Sequence, residues 1–182
     1  MTVDDEAAAR PLKARAKDIR SAPAIVVMGV AGSGKTAVGE ALAKAIAAVY
    51  VEGDRLHPPE NVARMARGEA LTDELREGWL DAIGERIAAA VTDGRKVVVA
   101  CSALKRSYRD RLRGFFPDIV FLYLKIDRAI AWRRVTNRRG HFMPASLVDS
   151  QFATLEEPAA NERAVTVDGT RPVAEIVEDM LG

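Results

Sequence analysis

Apolar positions in this chain follow two rhythms that alternate along its length. Short unbroken runs stand at 24–28 (AIVVM), 96–100 (KVVVA) and 119–126 (IVFLYLKI). Runs this short, rich in β-branched residues and lacking polar alternation, mark strands buried on both faces, as parallel strands are. Val49 to Val51 and Val165 to Val167 complete a set of five candidates. Between the strands the spacing becomes helical, over Ala37 to Ala48, Leu80 to Val91, Arg106 to Phe115, Arg128 to Arg139 and Val173 to Leu181. A further helix opens after His57-Pro58-Pro59 and runs from about Glu60 to Arg67, since proline suits the first turn. Strand and helix in alternation predict an α/β fold of three layers, a five-stranded parallel sheet with helices on both faces. No repeat or linker divides the chain, so 23–182 reads as a single domain, with the segment at about 128–145 as a helical lid over it. In such a fold, ligands sit beyond the carboxyl ends of the strands.

The bulk numbers remove several classes of function. A formal net charge of +1 on 182 residues gives no field that would gather nucleic acid or an anionic membrane surface. No apolar run reaches the ~20 residues of a membrane-spanning helix. One cysteine, Cys101, and two histidines leave no intramolecular disulfide and no structural zinc site, which fits a reducing compartment such as the cytoplasm. Cys101 itself reads as a small buried residue. Residues 1–22 carry Asp4, Asp5 and Glu6 among basic residues and lack the apolar core of an export signal. They are expected to form a mobile tail or a loosely docked helix.

The strongest chemical signal follows the first strand. Gly29-Val30-Ala31-Gly32-Ser33-Gly34-Lys35-Thr36 fits the phosphate-binding loop, with a strand before it and a helix after it as the mechanism requires. Its backbone N–H groups can curl around a β-phosphate, and the helix beginning at Lys35 adds its positive end. Lys35 would neutralise the β- and γ-phosphate oxygens of ATP, and the Thr36 hydroxyl suits the inner shell of Mg²⁺. Such a loop specifies nucleotide binding without naming the acceptor.

Other positions bear on the acceptor. Glu52-Gly53-Asp54 sets two carboxylates two residues apart at a strand end. In extended backbone they would point the same way, Asp54 toward an acceptor hydroxyl and Glu52 toward a Mg²⁺-bound water. The alternative is a solvated turn with Asp54 capping the next helix. His57 stands beside the pair and could meet a substrate hydroxyl. Ser102, Lys105 and Arg106 follow the third strand and suit an anionic or polyhydroxylated substrate, unless the two cations form only an exposed first helical turn. Arg134 and Arg138, four apart, share a helix face between Arg133 and Arg139. Arginines so placed could reach a transferring phosphoryl group as a lid closes, or could simply be a solvated basic face. His141 is expected to be structural.

Four blocks of the chain resemble the gluconate kinases, relatives of shikimate kinase. They are GVAGSGKT, EGDRLHPPENVARMARGEALTD from Glu52 to Asp73, CSALKRSYRDRLR from Cys101 to Arg113, and HFMPASLVDSQFATLEEP from His141 to Pro158. The resemblance implies a P-loop kinase fold and transfer of the ATP γ-phosphate to the 6-hydroxyl of D-gluconate, with Mg²⁺ required. It makes a homodimer an expectation and places Arg64, inside the second block, among the substrate contacts. The chain departs from the family between Ala70 and Leu80. Ala70 and Gly78 stand where the family has prolines and Leu75 where it has an acid, while Asp73, Arg76 and Trp79 remain. A kinase for another small acid or polyol such as shikimate, or a nucleotide-binding switch without turnover, are the competing readings.

Overall fold

The five apolar runs do pair. In a computed structural model that describes residues 12–137 and 146–182, the strands β1 (Ala24–Met28), β2 (Val49–Glu52), β3 (Val97–Ala100), β4 (Ile119–Lys125) and β5 (Ala164–Asp168) form one sheet. Its order is β2-β3-β1-β4-β5, and every pairing is parallel. The helices are α1 (Leu12–Ser21), α2 (Lys35–Ala45), α3 (Pro59–Ala66), α4 (Asp73–Thr92), α5 (Arg106–Phe115), α6 (Arg128–Thr136), α7 (Ser146–Thr154) and α8 (Val173–Leu181).

Alternation along each strand divides the core. Ala24, Val26 and Met28 face one side with Val97, Val99 and Phe121, where α4 and α5 supply Trp79, Leu80, Ile83 and Leu112. Ile25, Val27, Val98 and Leu122 face the other, against Leu42 from α2 and Ile176 and Met180 from α8. Fully burying one such side chain contributes roughly 1.5–3 kcal/mol, so the two faces together fix the register of the sheet. Ile19 and Ala22 are buried in the second layer, where α1 packs on α8. The core therefore begins within the stretch expected to be a mobile tail or a loosely docked helix.

Several boundaries differ from expectation for identifiable reasons. Helix α4 starts two turns before Leu80, at Asp73, with Thr72 capping it by accepting from the Leu75 N–H at 3.4 Å. Its first turns carry little apolar periodicity because Asp73, Glu74, Glu77 and Gly78 are exposed and Arg76 lines the site. Helix α2 ends at Ala45, short of Ala48, and Ala47 takes a left-handed φ of 53°. Helix α7, which the apolar pattern did not mark, packs Val148 and Phe152 with Val30, Ala31 and Leu104. The expectations for Arg138, Arg139 and His141 fall outside the described residues, as do residues 1–11.

The order of strands decides where chemistry can occur. The chain leaves β1 for β2, returns through β3, then crosses β1 to reach β4. The carboxyl ends of β1 and β3 thus open onto a switch in winding direction. There the Gly29 N–H donates to the Ser102 carbonyl at 3.3 Å and the Cys101 N–H to the Val27 carbonyl at 3.1 Å.

Candidate active site

The phosphate-binding loop joins β1 to α2, and Gly34 caps the helix in a left-handed conformation, φ 98°. Only glycine adopts that backbone without strain. Lys35 Nζ donates to the Val30 carbonyl at 3.0 Å, folding over the loop. Thr36 Oγ1 donates to Glu52 Oε2 at 2.8 Å, and the Tyr50 hydroxyl donates to the same oxygen at 2.7 Å. A hydroxyl and a carboxylate are hard oxygen donors that fit Mg²⁺. Among the described residues no group of three or more His, Cys, Asp or Glu side chains could hold a metal ion.

Glu52 and Asp54 do not share one environment, because β2 ends at Glu52 and a 3₁₀ turn covers Gly53–Leu56. The two-residue alternation assumed from the sequence stops there. Glu52 turns to Thr36, while Asp54 lines a pocket together with Lys35, Thr36, His57, Arg76 and Ser102. Gly53 makes this possible, since a Cβ on it would lie 2.4 Å from the Ala100 carbonyl oxygen. The turn is pinned from below by Trp79, whose Nε1–H donates to the Gly53 carbonyl at 2.8 Å.

His57 stacks on the Trp79 ring, centroids 4.1 Å apart and planes within 14°. Burial, assisted by the nearby Arg76 charge, lowers its imidazole to about 4, so it is neutral at neutral pH. Its Nδ1 is buried with no hydrogen-bond partner among the described residues. Arg76 Nη1 donates to the Leu71 carbonyl at 2.5 Å and to the Tyr108 hydroxyl at 3.2 Å, and its guanidinium is the cation on the pocket wall away from the loop. Burial pushes the Cys101 thiol up to about 12, which keeps it inert.

Four expected contacts lie elsewhere. Lys105 Nζ binds the Asp73 carboxylate at 2.8 and 3.0 Å. Arg106 Nη1 donates to Asn161 Oδ1 at 2.9 Å, and its Nε lies 3.6 Å from Asp110. Arg64 pairs with Glu60 at 3.3 Å and Glu69 at 3.6 Å. None of the three lines the Asp54 pocket, because neighbouring carboxylates or amides on the surface engage them first. Arg134 does reach the loop, but Nη1 donates to the carbonyls of Gly32 and Gly169, both at 3.0 Å. It lines a second pocket on the other side of the loop with Arg133, Arg171 and Val173.

Sequence reasoning assigned no role to Gln151. Helix α7 carries it into the Asp54 pocket, where Oε1 accepts from the Ala31 N–H at 2.6 Å. Its only signal was its place inside the SQFATLEEP stretch. The departure at Leu75 also finds a partner set, since Leu75 packs on Met65, Leu71 and Leu147. An acid there would face an apolar cluster that links α3 to α7.

Comparison with known proteins agrees with this geometry. The AAA domain model matches residues 25–158. A gluconokinase of Gluconobacter oxydans is 43% identical over 157 residues, covering 86% of this chain and 88% of the relative. A crystal structure of a gluconokinase from Sinorhizobium meliloti is 51% identical, covers 87% of this chain and 89% of its own, and superposes with a TM-score of 0.78. A shikimate kinase from Acinetobacter baumannii, 18% identical with a TM-score of 0.57 over 91% of this chain and 94% of its own, shares the fold. With relatives this similar covered over most of their length, the chain belongs to the gluconokinase family.

Proposed function

We propose that this protein transfers the γ-phosphoryl group of ATP to the 6-hydroxyl of D-gluconate, giving 6-phospho-D-gluconate and ADP in the cytoplasm. The observation that carries the reading is the single pocket in which Asp54 faces the Lys35–Thr36 end of the phosphate-binding loop. The reaction forms an O6–P bond, breaks the bond from the γ-phosphorus to the β,γ-bridging oxygen, and releases the hydroxyl proton. Asp54 stands where it can take that proton. Lys35 meets the charge on the transferring group. Bound Mg²⁺, held by Thr36 with Glu52 acting through a water, would neutralise charge on the phosphate oxygens.

The opposite wall suits a polyhydroxylated acid. Arg76 supplies a cation for the carboxylate, neutral His57 and Ser102 supply groups for hydroxyls, and Met65, Leu71 and Trp79 supply apolar surface. The second pocket, beside Gly34 and bounded by Arg133, Arg134 and Arg171, fits the nucleoside end of ATP, so that the loop separates donor from acceptor. Release of ADP, measured over gluconate, shikimate, other sugar acids and nucleoside monophosphates, tests the reading. Gluconate is expected to give the highest kcat/KM, and a clear preference for shikimate or a nucleotide acceptor would overturn it.

A further inference from the structure

Two hydroxyl donors converge on one carboxylate oxygen beside the phosphate-binding loop. Thr36 and Tyr50 both donate to Glu52 Oε2, at 2.8 and 2.7 Å. Thr36 has one proton, and its oxygen can offer a lone pair to a cation only if that proton points away. Glu52 accepts it. A glutamate carboxylate can turn about several bonds, and any turn away from Thr36 would leave that proton without this acceptor. Tyr50, two residues earlier on β2 and therefore on the same face, gives that carboxylate oxygen a second donor.

The ring of Tyr50 is itself seated. Gly39, one turn beyond Thr36 on α2, leaves the space that the ring fills, and a Cβ there would come 2.8 Å from Tyr50 Cε2. Helix α2 thus carries both the hydroxyl to be oriented and the platform for the residue that orients it. From this arrangement we infer that Tyr50 is a positioning residue for Mg²⁺, setting the Thr36 hydroxyl through Glu52. The inference rests on the reading of Thr36 as a Mg²⁺ ligand.

The test uses the full chain and a fluorescent ADP analogue, titrated with Mg²⁺, so the readout is metal-linked nucleotide binding and not turnover. Tyr50→Phe keeps the ring on Gly39 and deletes only the hydroxyl. Half-saturating Mg²⁺ is expected to rise roughly tenfold, the scale of outer-shell substitutions, with metal-free nucleotide affinity and melting temperature near the parent values. In a Glu52→Ala background the same change should add nothing, because Tyr50 acts through Glu52. Unchanged half-saturation in Tyr50→Phe overturns the inference, as does an equal rise in both backgrounds. A parent protein whose ADP signal ignores Mg²⁺ overturns the metal reading, and the inference with it.

Discussion

Replacing Arg109 by methionine removes a guanidinium that is fully buried and donates to five acceptors. Two of the bonds go to the Glu162 carboxylate, at 2.7 and 2.8 Å, and three to the carbonyls of Ala103, Leu104 and Glu156, at 3.0 to 3.2 Å. Breaking one side of a buried pair costs about 3–5 kcal/mol, because the other charge stays behind. Glu162 would keep Arg113 at 2.9 Å and the Ala159 N–H at 3.0 Å, which favours the lower end. Two buried carbonyls and one part-buried carbonyl losing a donor push the other way, and Ala103 already holds a left-handed φ of 44°. The expected loss is about 4 kcal/mol, or a melting temperature lower by roughly 8–16 °C in a domain of this size. Urea unfolding followed by tryptophan fluorescence would measure it. A double variant, Arg109→Met with Glu162→Leu, should recover at least half the loss, since the stranded charge has gone. A loss below about 1 kcal/mol, or a double variant no better than the single, would mean that the buried pair does not hold this part of the fold. The same pair sets an acid limit. Burial alone would raise the Glu162 carboxyl, but hydrogen bonds from Arg109, Arg113 and the Ala159 N–H override it and lower the group from 4.5 to about 2. A depressed folded value means stability present above about 4.5 and lost as pH falls toward 2. Arg109→Met should flatten that loss.

Lys35→Ala should leave a folded protein with turnover nearly abolished, checked by melting temperature and ADP release; turnover near the parent rate would contradict the role of the loop. Asp54→Asn should lower kcat by roughly 10²- to 10⁴-fold with nucleotide affinity little changed, whereas a helix cap would tolerate asparagine almost without cost. Trp79→Phe keeps the stacking ring under His57 but strands the Gly53 carbonyl, so stability should fall by about 1–3 kcal/mol. The variant's kcat should fall too, as the turn that carries Asp54 loosens.

What the sequence disclosed was whatever a short window contains. The loop from Gly29 to Thr36 declares itself because its neighbours in sequence are its neighbours in space, and the unbroken apolar runs declare a parallel sheet for the same reason. The rest depends on distant partners. Gln151 reaches Ala31 across 120 residues of chain, and no local pattern separates it from a surface glutamine. Lys105 and Arg106 looked like substrate cations because their carboxylate and amide partners, Asp73 and Asn161, come from other segments. Trp79 carries apolar character that says core, and it is core, yet its one polar side-chain atom holds the turn that carries Asp54. The α4 start was hidden because Asp73 pairs with Lys105 and Arg76 lines the pocket, which breaks the periodicity that marks a packed helix.

The proposed reaction makes one bond, between the γ-phosphorus of ATP and O6 of gluconate. The most direct measurement is a proton-coupled phosphorus NMR spectrum of protein incubated with ATP, Mg²⁺ and D-gluconate. The γ-phosphate resonance should give way to a phosphomonoester split by two methylene protons, one equivalent for each ADP formed. Inorganic phosphate in place of that ester, an ester coupled to a single methine proton, or ATP left intact would contradict it.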